Sequence, residues 1–221
     1  MNINEARLKH IEQVLAKRMK TGRFQHTLGV RNAALRMADQ FGADREKAAM
    51  AALFHDYAKG FNKEELLQTV RLYHLQPDSL MVQAHQLLHG SVAAAIALNE
   101  FGIDDDEVLK AIEYHTTGRK HMGTIEKIIY LADFIEEGRD YSGVAFLREL
   151  AYRELDLAVY QALTNTMIYV LETGKLLHPN TVEARNHMLN ELGERKVNAL
   201  KKMWEGLYGK DSRNSTGGNY P

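Results

Sequence analysis

The chain has 221 residues, of which 45% are hydrophobic and 26% are charged, and its 28 basic and 29 acidic side chains leave a formal charge of −1. This composition is that of a globular domain, and the balanced charge excludes an overall field that attracts nucleic acid or an anionic membrane. The lack of cysteine excludes disulfides and thiolate catalysis. No apolar run approaches the roughly 20 residues of a membrane span, and the first residues do not resemble a signal peptide. We therefore expect a cytoplasmic protein.

Helices are the only regular structure that the sequence predicts. The chain contains only 3 prolines, and apolar residues recur every three or four positions, whereas no strand-length alternation stands out. The predicted helices cover, in chain order, residues 8–19, 26–41, 44–60, from 62 onwards, 79–88, 91–101, 105–115, 124–137, 146–171 (as one helix or two) and 181–207. We expect one all-α domain over residues 1–208 and a disordered Ser/Gly/Asn-rich tail over residues 209–221.

The pair His55-Asp56 stands at the end of an Ala-rich helical run, where a purely structural segment would place leucine or alanine. Adjacent side chains on a helix diverge by about 100°, so the two converge only on something lodged between them. An imidazole beside a carboxylate is a donor pair suited to a divalent transition metal. The pair therefore predicts a metal ligand set whose remaining members come from elsewhere in the chain.

Four further residues are candidates for those remaining positions. Asp133 lies in an otherwise apolar run, where a buried carboxylate needs a cation or strong hydrogen bonds; a salt bridge with a nearby arginine is the alternative. His26 lies on an apolar helical stripe, and His89 and His115 each precede a glycine-containing break. A single histidine in such a place is more often a core residue, but the coincidence of several favours a site.

The order of these residues resembles that of the HD superfamily of metal-dependent phosphohydrolases. Six short runs between Arg23 and Asn186 more closely resemble the bacterial YqeK family, the symmetrical bis(5'-nucleosyl)-tetraphosphatases. The runs are Phe-Gln-His-Thr at 24–27, Ala-Leu-Phe-His-Asp-Tyr-Ala-Lys at 52–59, Leu-His-Gly at 88–90, Tyr-His-Thr-Thr-Gly at 114–118, Leu-Ala-Asp at 131–133 and His-Pro-Asn-Thr-Val-Glu-Ala-Arg-Asn at 178–186.

This resemblance implies an HD-domain helical bundle that hydrolyses diadenosine tetraphosphate symmetrically to two ADP with a metal-activated water. It implies a divalent or trivalent transition metal, iron in the family, and it places His89 and His115 on the phosphate side. There the two histidines hold a second metal or bind the phosphates directly, and the sequence does not choose between these. The metal ligands that the resemblance implies are His26, His55, Asp56 and Asp133.

Five other residues are predicted to contact the substrate. Lys59 follows His55 by one helical turn and is assigned to phosphate binding and catalysis with His89 and His115; a solvated lysine at a helix end is the alternative. His121 follows the Thr-Thr-Gly turn, and a solvated loop is its alternative. Gly29 lies three residues after His26, and helix packing is its alternative. Thr181 and Arg185 stand at the start of the last helix, where capping with an exposed arginine is the alternative.

Other functions remain open at this stage. One is an HD-type nucleotidase or another nucleotide phosphohydrolase, and another is a catalytically silent nucleotide-sensing domain. The lack of a Gly-Tyr-Pro run after a histidine-rich helix argues against a cyclic-dinucleotide phosphodiesterase. The expected partner is a small dinucleoside polyphosphate, with no nucleic acid and no membrane, and Tyr152 and Tyr160, which we expect to be exposed, suggest a homodimer.

Overall fold

A computed structural model describes residues 5–208, so the predicted tail at 209–221 lies outside the described residues. Within that range the chain forms twelve α-helices and no strand, which confirms the all-α prediction. The elements are α1 (Glu5–Arg18), α2 (Thr21–Phe41), α3 (Arg45–Phe54), α4 (Lys63–Leu72), α5 (Ser79–Gln83), a 3-10 turn (His85–Leu87), α6 (Leu88–Phe101), α7 (Asp106–Glu113), α8 (Thr124–Ile135), α9 (Val144–Ala151), α10 (Leu155–Glu172), α11 (Pro179–Leu192) and α12 (Glu194–Tyr208).

Polar caps and glycines set many of the helix boundaries. Asp44 accepts hydrogen bonds from two backbone N–H groups at the start of α3, and Asn62 forms a capping box with Glu65 at the start of α4. Gly42 and Gly102 end α2 and α6 in the left-handed conformation. These boundaries agree with the predicted ones because each rests on a local signal.

Three predicted helices differ from the observed ones. Helix α3 ends at Phe54, so His55 and Asp56 lie in the tight turns that follow it, and the segment predicted as 79–88 is a short helix followed by a 3-10 turn. The last predicted helix is two helices, because Gly193 takes a φ of 75° and a ψ of 152°, which no helix accommodates. The apolar periodicity continues past Gly193, so the sequence did not predict this break.

Helix α8 is the centre of the fold. Its residues from Ile125 to Ile135, apart from Lys127, are buried, and it packs against α2, α3, α7, α9 and α10. Because the helix is surrounded on all sides, any polar group that it carries inward must find its partners within the protein. Asp133 is such a group.

Tyr160 is buried, with 4% of its surface exposed, and its hydroxyl accepts a hydrogen bond from Arg185 at 2.6 Å. Tyr152 is half-buried, with the guanidinium of Arg36 4.4 Å from its ring centroid. The expectation that both rings are exposed is therefore wrong, and the homodimer stays a prediction without that support. Among the described residues, no helix is both long enough and apolar enough to cross a membrane.

Candidate metal centre

The fold brings six predicted site residues from distant parts of the chain into one buried cluster. They come from five places in the fold: His26 on α2, His55 and Asp56 after α3, His89 on α6, His115 after α7 and Asp133 on α8. His26 is half-buried and the other five are buried. The sequence order that suggested a common site thus corresponds to proximity in space.

Asp56 lies at the middle of this cluster. Its Oδ1 lies 3.3 Å from His89 Nε2 and 3.5 Å from His115 Nε2, and its Oδ2 lies 3.8 Å from the Nε2 atoms of both His26 and His55. Two groups of three side chains therefore have the proximity to hold a metal ion, and Asp56 belongs to both. One group is His26, His55 and Asp56, and the other is Asp56, His89 and His115.

Three of the histidines are oriented by backbone carbonyl groups that precede them in the chain. The Nδ1 atoms of His55, His89 and His115 lie 2.7, 2.5 and 2.7 Å from the carbonyl oxygens three residues earlier. Since a carbonyl oxygen only accepts, each Nδ1 carries a hydrogen and donates it, which leaves Nε2 as the nitrogen that points at Asp56. This is the arrangement by which proteins orient imidazole ligands toward a metal.

His26 is oriented by Glu136, a residue that the sequence analysis missed. Its Nδ1 lies 3.2 Å from Glu136 Oε1, and the buried Glu136 carboxylate also accepts the Gly138 N–H at 2.7 Å. A Cβ atom on Gly29 would lie 2.5 Å from Glu136 Oε2, so any other residue at position 29 would displace this carboxylate. The space beside Gly29 is thus filled by Glu136, as in the helix-packing alternative. The available signal was a second carboxylate at the end of the apolar run that holds Asp133.

Gly90 has a comparable role on the other side of the centre. A Cβ atom there would lie 2.5 Å from the carbonyl oxygen of Glu113, so glycine lets α6 pack directly on the end of α7. This packing brings His89 Nε2 within 3.0 Å of His115 Nε2. Two ring nitrogens whose hydrogens are on the opposite side repel each other at this distance unless a shared proton or a metal cation lies between them.

The charges of the centre suit a cation. Burial lowers the pKa of His55 to about 3 and also lowers the pKa of His89, so both imidazoles are neutral at pH 7. Burial by itself raises the pKa of Asp56, but His55, His115 and His89 together hold it well below its usual value. For His26, burial lowers the pKa and the Asp133 carboxylate raises it, with a net rise. A neutral imidazole beside an ionised carboxylate is the state that binds a metal.

Arginine and lysine side chains contact the same carboxylates. Arg23 donates to Asp56 Oδ2 at 2.7 Å, and Lys59 Nζ lies 3.3 Å from that atom. Arg139 pairs with the Asp133 carboxylate and donates to its backbone oxygen at 2.7 Å. The salt bridge considered for Asp133 therefore exists, and Asp133 belongs to neither three-residue group, although its Oδ1 lies 3.0 Å from His26 Nε2.

Three donor atoms of the centre fit a metal ion. His26 Nε2, His55 Nε2 and Asp56 Oδ1 are buried and have no hydrogen-bond partner. Asp56 Oδ1 faces His89 and His115, and Asp133 Oδ1 lies 3.0 Å from His26 Nε2. Leaving such atoms unsatisfied costs about 1–3 kcal/mol each, so a cation that they jointly coordinate would remove the cost. Nitrogen and oxygen donors in this number are suited to a divalent transition metal.

A cleft of about 600 Å³ opens onto the centre. Lys59, His89 and His115, the three predicted catalytic residues, line it together with Thr116 and Asp133. Gly29, His121, Thr181 and Arg185 do not line it.

The last three of those residues have other surroundings. His121 is exposed, and its ring centroid lies 4.2 Å from that of His187. Thr181 is buried in the first turn of α11, and Arg185 is half-buried against the Tyr160 ring. The structure therefore does not bring these predicted substrate contacts to the metal centre.

Comparison with known proteins gives the family. Residues 23–138, which include all six clustered residues, match the HD domain. A protein of Halalkalibacterium halodurans is 39% identical, and the match covers 81% of this chain and 95% of that protein. A protein of Bacillus subtilis is also 39% identical, over 86% of this chain and 99% of that protein. A protein of Staphylococcus aureus is 35% identical, over 85% of this chain and 94% of that protein. All three are named symmetrical bis(5'-nucleosyl)-tetraphosphatase.

A solved structure supports the same family. A crystal structure from Clostridium acetobutylicum, described as a predicted HD superfamily hydrolase involved in NAD metabolism, matches with a TM-score of 0.80 and 39% identity, over 83% of this chain and 97% of that one. The chain belongs to the metal-dependent HD domain family and, within it, to the family of the symmetrical bis(5'-nucleosyl)-tetraphosphatases.

Proposed function

We propose that this protein hydrolyses diadenosine tetraphosphate symmetrically, so that water attacks at the middle of the four-phosphate bridge and two ADP molecules leave. The observation that carries the proposal is Asp56, shared by two pairs of histidines beside a 600 Å³ cleft. The names of relatives that are 35–39% identical over most of their length supply the substrate and the position of cleavage.

His26, His55 and Asp56 would hold the metal, with Asp133 beside them. A transition metal bound there supplies Lewis acidity toward a phosphoryl oxygen and lowers the pKa of water. Asp56, His89 and His115 would hold a second metal, or His89 and His115 would contact the phosphates directly; the 3.0 Å approach of the two imidazoles suits either role. Iron is the metal that we propose, on the family resemblance.

The rest of the site positions a polyanion. Lys59 lies on the cleft wall 3.3 Å from Asp56 Oδ2, where its ammonium can shift to a phosphate oxygen. Thr116 Oγ1 lies 3.1 Å from His115 Nε2 and offers a hydroxyl at the same place. Phosphoryl transfer asks little covalent work of a protein beyond positioning and charge stabilisation, and these side chains supply both.

The remaining predictions belong to the same proposal. The chain acts on a small nucleotide rather than on nucleic acid or a membrane, and it works in the cytoplasm, whose reducing conditions suit a protein without cysteine. A homodimer and the substrate contacts of Gly29, His121, Thr181 and Arg185 stay predictions.

The test is to incubate the purified protein with diadenosine tetraphosphate and iron, manganese or cobalt, and to separate the products by chromatography. We expect ADP alone. AMP with ATP would contradict symmetrical cleavage. Absence of turnover with every metal would contradict the enzyme and favour the silent nucleotide-sensing domain.

A control separates the second enzymatic alternative. AMP and ADP are offered under the same conditions, and released inorganic phosphate is measured. An HD-type nucleotidase would release phosphate from them faster than it splits diadenosine tetraphosphate, whereas we expect the opposite order.

A further inference from the structure

One wall of the cleft carries none of the candidate metal ligands. It consists of the end of α10 and the turn after it, and we call it the α10 wall: Thr166, Tyr169, Val170, Gly174, Lys175 and Leu176. None of the sequence motifs described above includes these residues. Carboxylate and imidazole groups lie at the metal centre, so the α10 wall is suited to a part of the ligand other than the one that the metal centre binds.

The α10 wall is apolar and aromatic, with one cation. Lys175 Nζ lies 5.1 Å from the centroid of the Tyr169 ring and 3.5 Å from its hydroxyl. Asp133, at the metal centre, is the only carboxylate among the residues that line the cleft. An aromatic ring with an adjacent ammonium suits a stacked base whose attached group is anionic.

The backbone fixes this arrangement. Gly174 takes a φ of 64° at the end of α10, and Lys175 donates its N–H to the Val170 carbonyl at 3.0 Å. This turn reverses the chain, so that Lys175 returns to the side of the helix that carries Tyr169. The pairing of ring and ammonium therefore follows from the helix C-terminus.

The size of the cleft suits one half of the substrate. Pockets for small molecules span about 300–1,000 Å³, and this cleft of 600 Å³ extends from the metal centre to the α10 wall. A nucleoside diphosphate has an anionic end and a planar apolar end, which correspond to the two ends of the cleft.

We propose that the α10 wall is a nucleoside subsite in which a purine base stacks on Tyr169, while the phosphates attached to it extend past Lys175 toward Lys59, His89 and His115. This inference rests on the proposed function and adds to it the residue that distinguishes a nucleotide from an inorganic polyphosphate.

The test compares binding of ADP and of inorganic pyrophosphate to the manganese-loaded protein by calorimetry. We expect Tyr169→Ala to weaken the binding of ADP about 5- to 150-fold, the effect of losing one base–aromatic stack, and to leave the binding of pyrophosphate unchanged. Tyr169→Phe keeps the ring and should bind ADP as the wild type does. The matched control is Leu171→Ala, two residues away on the same helix, exposed and outside the cleft.

Unchanged ADP binding in Tyr169→Ala, or an equal loss for ADP and pyrophosphate in a protein whose helical CD spectrum is intact, would overturn the subsite. Because the readout is binding, the two proposals fail separately. A wild type that leaves diadenosine tetraphosphate intact but shows the Tyr169 effect on ADP would refute only the proposed function. A wild type that cleaves the substrate, with ADP binding indifferent to Tyr169, would refute only the subsite.

Discussion

The metal centre and the start of α11 each contain a buried histidine, His55 and His178, but the ring nitrogens of the two have different partners. His178 begins α11 as its N-cap: its Nδ1 accepts the Asn180 N–H at 3.2 Å and its Nε2 lies 2.8 Å from Asp78 Oδ2. His55 has only one nitrogen engaged, at the Ala52 carbonyl, and its Nε2 has no partner. Burial alone therefore does not distinguish a structural histidine from a candidate ligand.

The difference shows what prepares a side chain for a ligand. In the metal centre the fold fixes one side of each ring and leaves the other pointing at a shared space, whereas at α11 the fold uses both sides itself. Proteins orient metal ligands in the first way. Substitutions in the two regions should thus have different consequences: loss of metal and turnover in one, and loss of stability alone in the other.

Asp56→Ala should have the largest effect. Since Asp56 belongs to both three-residue groups, its removal should lower turnover of diadenosine tetraphosphate to the background rate and reduce bound metal, measured by elemental analysis, to a trace. Asp39→Ala, which removes an exposed partner of Arg45, is the control and should retain both. A full complement of metal in the Asp56 variant would show that the centre is not organised around this carboxylate.

Asp133→Ala should also abolish turnover while the helical CD spectrum stays largely intact. The substitution removes the carboxylate 3.0 Å from His26 Nε2 and leaves Arg139 without its partner, so Asp133→Asn, which keeps the shape, is measured alongside. The exposed Asp140→Ala serves as control. Wild-type rates in Asp133→Ala would reduce Asp133 to the salt bridge that it forms with Arg139.

Glu136→Gln should have a smaller effect, confined to metal binding. Loss of a carboxylate that orients a ligating histidine typically costs about 10- to 100-fold in metal affinity or activity. Competition against a chelator would measure the affinity, with the exposed Glu137→Gln as the matched neighbour. If the two variants bind metal equally, the contact between Glu136 and His26 Nδ1 is structural only.

His178→Ala should have the smallest effect on function. It removes a helix N-cap and a hydrogen bond to Asp78, which together are worth about 1–2 kcal/mol, so the melting temperature should fall by a few degrees. The rate per folded molecule should be unchanged. A loss of turnover at a temperature where the variant is folded would place the start of α11 within the active site, as the predicted roles of Thr181 and Arg185 require.

The sequence predicted the clustered residues because each contradicts its local pattern. Asp133 is a carboxylate in an apolar run, and His55-Asp56 follows a run rich in alanine, so the anomaly is visible without knowledge of the fold. The helix starts at Asp44 and Asn62 were predictable for the same reason, since a cap is a local interaction.

The rest depends on contacts between distant segments. Arg23 looks like an ordinary surface cation in the sequence, and only the packing of α2 against α3 brings it to Asp56. The burial of Tyr160 likewise depends on how α10 and α11 meet, and no periodicity within α10 shows it. Such roles arise from tertiary structure, and single-sequence patterns carry little information about them.

The close approach at Gly90 has a consequence for how this protein tolerates change. The residue has no side chain and contributes no reactive group, yet a Cβ atom at position 90 would lie only 2.5 Å from the Glu113 carbonyl oxygen. In a screen of every single substitution, we expect position 90 to be as intolerant as the histidine before it. A map of tolerated mutations would therefore show the close-packed backbone positions that shape the active site as well as its reactive side chains.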